Sequence, residues 1–80
     1  MPSVAAYPTA FSITTSDTVD LPNATTGGIY VGANGDVKVK TLGGNVVTFA
    51  AVVAGTYLPV VVSRVYATGT TSTSVIGLAV

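Results

Sequence analysis

Short runs of valine, threonine and aromatic residues recur along this chain at intervals of roughly eight to twelve residues, with glycine, proline, asparagine or aspartate between most of them. β-Branched and aromatic side chains fit a pleated, half-buried surface, and the intervening residues are those that turn the backbone. The pattern predicts strands over 11–15, 28–32, 36–41, 46–53, 58–67 and 74–79. Helix signals are nearly absent, because the chain has neither Glu nor Gln and no sustained apolar spacing at three and four residues. The reading is an all-β fold, a small antiparallel β-sandwich or barrel-like domain over 11–80, preceded by an extended arm over 1–10.

Alternation within the runs also predicts register. A two-residue Asn34-Gly35 turn would set Val31 against Lys38, whereas a three-residue loop of Ala33, Asn34 and Gly35, with Gly35 at positive φ, pairs Val31 with Val37 and Ile29 with Val39. A second three-residue loop, Gly43-Gly44-Asn45, then sets Val39 against Phe49 and Thr41 against Val47, giving a three-stranded meander. Gly55 is expected to form a further turn. The run over 58–67 behaves differently: Val60, Val61 and Val62 are consecutive and must point to both faces, which suggests a strand in the middle of an assembly or at a subunit interface. Pro59 fits such a strand only at its start or at an edge. The Thr/Ser tract 68–74 is expected to be a glycine-hinged loop running into an outer strand.

Charge narrows the function. Three acids and three bases in 80 residues, 8% charged with net charge zero, leave a surface far poorer in ions than the roughly quarter usual for a soluble domain. No basic cluster exists to neutralise phosphates, so nucleic acid is not an expected partner. Residues 41–63 carry no charge and are long enough to span a bilayer as a helix, but their Gly-Gly-Asn, Gly-Thr and Pro signals and their Val and Thr content describe turns and strands. No membrane partner is expected. Residues 1–11 lack the positive region and continuous apolar core of a secretory signal. A chain of this length buries little surface, and without Cys or His neither disulfides nor common metal ligands can supplement the core, so self-association is expected.

Catalytic chemistry is poorly provided for. General bases reduce to three Asp and two Lys, and both lysines alternate with valine on a solvated strand face. Asp17, Asp20, Asn23 and Asp36 could supply oxygens to calcium, but turn stabilisation is the plainer role. Neither a cofactor nor an enzymatic activity is expected. The candidate interface residues are Val60, Val61, Val62, Arg64, Tyr57 and Tyr66. Arg64, the one guanidinium, calls for a carboxylate or carbonyls, either within the chain at Asp17, Asp20 or Asp36 or across a subunit boundary. The tyrosines either cap the core or stack on a sugar or a protein partner.

Taken in order, Asp17-x-x-Asp20-Leu21-Pro22, Gly28-Ile29-Tyr30-Val31-Gly32, Gly35-Asp36-Val37, Val47-Thr48-Phe49, Ala54-Gly55-Thr56-x-Leu58-Pro59-Val60 and Arg64-Val65-x-Ala67-Thr68-Gly69-Thr70-Thr71 resemble the head spike base protein of gene transfer agents and related capsid decoration proteins of tailed phages and prophages. The resemblance covers about residues 10–78. It implies a jelly-roll type β-sandwich that forms a homo-oligomer, trimer or pentamer, on the outside of a virion head. It further implies that the major capsid protein is its partner, that any spike or fibre is a separate chain, and that it is made in the cytoplasm of a bacterial host. A glycan-binding module with a tyrosine-lined groove, and a tail or other self-assembling layer protein, are the competing readings.

Overall fold

A computed structural model describes residues 7–79. Seven strands follow one another as β1 (Thr9–Ser12), β2 (Gly28–Val31), β3 (Gly35–Thr41), β4 (Val46–Val52), β5 (Thr56–Leu58), β6 (Val62–Val65) and β7 (Val75–Ala79). They form two antiparallel sheets, one four-stranded in the order β1-β7-β2-β5 and one three-stranded in the order β4-β3-β6. The all-β sandwich expected from the sequence is therefore observed. Thr9 and Ala10, expected in the arm, already pair with Ala79 and Leu78, so the sheet begins inside that segment. Residues 1–6 of the expected arm lie outside the described residues.

The core lies between the sheets. Ile29 and Val31 of β2 face Val37 and Val39 of β3 and Val62 and Val65 of β6, and all six are 0% exposed. Burying a side chain of this size contributes about 1.5–3 kcal/mol, so this cluster dominates the stability of a small domain.

The first hairpin is not formed. β2 and β3 belong to opposite sheets, so the two apolar pairs Ile29/Val31 and Val37/Val39 meet across the sandwich instead of along a ladder. Alternation specifies which face is apolar and leaves open whether the matching residues lie beside it or opposite it. The connection is an arch whose polar groups bond outward: Asn34 Oδ1 accepts Ala54 N–H at 2.7 Å, Ser72 Oγ donates to the Ala33 carbonyl at 2.9 Å, and Gly32 N–H donates to the Ser74 carbonyl at 2.7 Å. Gly35 does have positive φ, at 147°.

The β3–β4 hairpin exists with a different loop. Thr41 N–H donates to the Asn45 carbonyl at 2.8 Å and Gly44 N–H to the Thr41 carbonyl at 2.9 Å, enclosing Leu42, Gly43 and Gly44, with Gly44 at φ 94°. Val39 consequently faces Val47, and Val37 faces Phe49. The pairing has slipped by two from the expected register, which preserves the apolar face because side chains alternate with period two. A bulge follows at Ala51, whose φ of 54° is unusual for a residue with a Cβ; Asp36 Oδ1 accepts its N–H at 2.8 Å.

The expected strand over 58–67 is two strands in different sheets. Pro59 cannot donate to a ladder, and the chain passes from β5 in one sheet to β6 in the other through Pro59, Val60 and Val61. Buried Thr25 secures this crossing: its N–H donates to the Val62 carbonyl at 3.1 Å and its hydroxyl accepts Val62 N–H at 3.0 Å. The tract after Gly69 is a loop, as expected, but β7 is an interior strand between β1 and β2. Within that loop Thr70 and Thr71 accept the N–H groups of Lys38 and Asp36 through their hydroxyls, at 2.9 and 2.8 Å, continuing the edge of β3 beyond the end of β6.

Candidate assembly surfaces

The two outer faces of the sandwich differ in charge. On the three-stranded sheet, Lys38 and Lys40 of β3 and Arg64 of β6 point outward with Tyr66, and Lys40 lies directly opposite Arg64. The Lys38 ammonium and the Arg64 guanidinium lie 5.1 and 5.6 Å from the centre of the Tyr66 ring, whose negative face offsets part of the repulsion between cations. Asp17 and Asp20 are drawn to the same side by the bonds described next, and Asp36 is the second residue of β3. β1, β2, β5 and β7 contain no charged residue at all. By their register, the outer face of the four-stranded sheet presents Ala10, Ser12, Ile76, Leu78, Tyr30 and Tyr57.

Arg64 is committed within the chain. Its Nε and Nη2 each lie 2.8 Å from Asp20 Oδ1, Nη1 donates to the Asp17 carbonyl at 3.3 Å and Nη2 to the Thr18 carbonyl at 3.2 Å. The guanidinium thus holds the β1–β2 connection against β6. Its side chain is 17% exposed but that of Asp20 is 55% exposed, so removing Arg64 strands a solvated carboxylate and not a buried one. Arg64→Ala is expected to cost about 1–2 kcal/mol, chiefly through the lost carbonyl bonds and loop order. Urea unfolding measures it, and a loss above about 4 kcal/mol would require a buried ion pair.

Asp17 has a second tie. Thr68 donates its hydroxyl to Oδ2 at 2.6 Å and its N–H to Oδ1 at 2.8 Å. These bonds favour the ionised form and hold the Asp17 carboxyl below its ordinary 3.8. Because the folded value is depressed, the contribution is present above the unfolded value and is lost as pH falls through the folded one. Titration followed by carboxyl NMR shifts should place Asp17 below 3.8, and Thr68→Val should return it upward.

These commitments bear on the other candidates. The Asp17, Asp20 and Asp36 carboxylates address Thr68, Arg64 and Ala51 respectively, and no group of three or more potential metal-binding side chains occurs among the described residues. Val62 is enclosed by its own chain as part of the core, and partly buried Val60 packs against that core where the chain crosses between sheets. Val61 is half-buried and its carbonyl accepts Leu42 N–H at 3.0 Å. Tyr57, paired with Tyr30 on the uncharged face, donates its hydroxyl to the Gly27 carbonyl at 2.6 Å. Hydrogen bonding with the Tyr7 hydroxyl, then desolvation, raises its phenol above the ordinary 10.0. Tyr66 is held between two cations.

A mainly apolar groove of about 430 Å³ runs beside the β1–β2 connection, lined by Phe11, Thr14, Val19, Leu21 and Pro22. Neither this groove nor the smaller one at Thr9, Asn23 and Ala79 is lined by a tyrosine. Sequence reasoning also passed over Leu42, Val46, Val47 and Val53, all exposed on or beside β4. Val47 falls on the apolar face by its alternation and is exposed because β4 lies at the margin of its sheet, whereas Val46 pairs with Lys40 on the outer face and Leu42 lies in the hairpin loop.

No protein-family model and no curated protein matches the chain. Among solved structures, a chain in the capsid of a native gene transfer agent (GTA) particle, computed with C5 symmetry, matches with a TM-score of 0.82 and 30% sequence identity, over 98% of this chain and 92% of that one. The chain belongs to the same family as this GTA capsid chain. The match spans nearly all of both chains, so the whole sandwich is shared and not a local motif. No helix of the described residues is long and apolar enough to cross a membrane.

Proposed function

We propose that this protein is a non-enzymatic structural component on the outside of a phage-like particle, a head spike base or capsid decoration protein held as a homo-oligomer against the major capsid protein. The observation that carries the reading is the likeness, at 30% identity across 98% of the chain, to a chain in a GTA capsid. The distribution of side chains supports it. Acids and Arg64 are spent on internal ties, and one whole sheet surface is free of charge, as suits a protein surrounded by neighbours.

Particles purified from a host that encodes the chain test this directly. Mass spectrometry should find the protein co-sedimenting with capsid, and its copy number separates the two forms: a vertex-bound spike base is present at few copies, a decoration protein at many. Absence from particles, or substrate turnover by the purified chain, overturns the proposal. Attachment should also be insensitive to salt. Raising ionic strength from about 0.05 to about 0.5 M shortens the screening length from roughly 14 to roughly 4 Å, which weakens ion pairs and leaves apolar contacts intact. Occupancy measured by sedimentation is expected to be unchanged across that range.

A further inference from the structure

Of the four sheet margins among the described residues, one is covered and two are short. β6 is covered by the β1–β2 connection, whose Ser16, Leu21 and Thr25 donate N–H groups to the carbonyls of Val65, Ser63 and Val62 at 2.9, 2.8 and 3.1 Å. β5 has three residues and runs into Pro59, and β1 has four. β4 has seven, Val46–Val52, with no charge, proline or glycine, and no described strand lies on its outer side. Val46 and Val47 are 52% and 39% exposed. Proteins ordinarily blunt such an edge with charge, proline or a covering segment, because it is a template for another strand.

We propose that the open edge of β4 is completed by β4 of a second copy, running antiparallel and centred on Thr48. The phase follows from the hairpin. Because Thr41 N–H bonds the Asn45 carbonyl, residues 45, 47 and 49 turn their backbone groups toward β3, and 46, 48 and 50 turn theirs to the open side. The bulge at Ala51 limits the regular part to 46–50, whose middle is Thr48. A two-fold axis there sets Thr48 against the partner's Thr48 and Val46 against the partner's Ala50. It also sets Val47 against the partner's Phe49, twice over, on the apolar face. Aromatic and β-branched cross-strand pairs are favourable, and no charge lies along the seam to oppose them. β4 is also the one described edge long enough to match itself.

The contact is isologous and joins copies in pairs, so a ring of three or five would use other surfaces. A seam of five residues is small beside the roughly 1,600 Å² of a stable interface, so association of the free protein is weak and gains from crowding on a particle. This deepens the reading of the chain as an assembling protein and rests on it for that crowding, but purified protein tests the seam apart from any capsid. The chain has no cysteine, so Thr48→Cys gives a single thiol. Mild oxidation at high protein concentration should convert most of it to a disulfide dimer, whereas Ala10→Cys on the other sheet stays monomeric. Thr48→Lys places like charges opposite each other at the axis and should raise the dissociation constant by sedimentation at least about tenfold, with unfolding midpoint unchanged in dilute solution. Failure of Thr48→Cys to cross-link, equal cross-linking of Ala10→Cys, or unaltered association of Thr48→Lys overturns the proposal, while leaving the particle location standing.

Discussion

Gly35→Val is expected to destabilise the protein by about 3 kcal/mol or more, from two independent sources. Gly35 opens β3 at φ 147°, a region that β-branched residues do not adopt without strain of about 1–3 kcal/mol. Space is lacking as well. A Cβ built there would lie 2.6 Å from Ser72 N, 2.7 Å from Thr71 Oγ1 and 3.0 Å from Ser72 Cα. Those atoms cannot give way cheaply, because Thr71 Oγ1 accepts Asp36 N–H at 2.8 Å and Ser72 Oγ donates to the Ala33 carbonyl at 2.9 Å. An open hairpin turn would have presented only the backbone penalty, so the size of the effect distinguishes an arch between sheets from a turn in a ladder. Urea denaturation of the variant measures it, and a loss below about 1 kcal/mol would contradict the close approach of the 71–72 backbone.

How much of this was legible in the sequence depends on the kind of signal. Turn chemistry is local, and the positive φ of Gly35 was readable because only glycine adopts it freely; Gly44 and Gly55, expected in turns, have positive φ as well. Asn34 was also readable as a turn residue, although its amide oxygen serves Ala54 and not its own turn. Pairing is not local. Ile29, Val31, Val37 and Val39 form one apolar set in either arrangement, and the decision between hairpin and arch rests on bonds to residues about twenty to forty positions away, such as Asn34 with Ala54 and Ser72 with Ala33. The three consecutive valines have a second source that needs no interface: a chain changing sheets also buries both sides, and Pro59 was the residue that marked the change.

The candidate surfaces were legible in composition and illegible in place. Scarcity of charge pointed to a protein covered by neighbours, and the likeness to a GTA capsid chain agrees with it. Yet the segregation of every charged side chain to the three-stranded sheet and its attached loop appears only once β1, β2, β5 and β7 are assembled into the other sheet. The ambiguity over Arg64 resolves toward the internal pair with Asp20, a contact spanning more than forty residues that no spacing rule reports.

Thr25→Val is expected to lose about 2–3 kcal/mol although it keeps the size and branching of the side chain. Thr25 is 0% exposed, and no sequence pattern marks it. Its hydroxyl accepts Val62 N–H at 3.0 Å and donates to the Val60 carbonyl at 3.3 Å, while its own N–H bonds the Val62 carbonyl at 3.1 Å. The side-chain oxygen thus stands in for the missing half of a ladder pair where the chain crosses from β5 to β6. Valine fills the volume but leaves the buried Val62 N–H without a partner, at about 1–3 kcal/mol, and frees the Val60 carbonyl. Thr25→Ser separates hydroxyl from shape. It keeps both bonds and removes one methyl, worth about 1 kcal/mol, so the serine variant should be the more stable of the two. Amide exchange at Val62 should accelerate in Thr25→Val and stay slow in Thr25→Ser, since exchange reports local opening at that bond. A valine variant as stable as serine would mean that packing, and not the hydroxyl, holds the crossing.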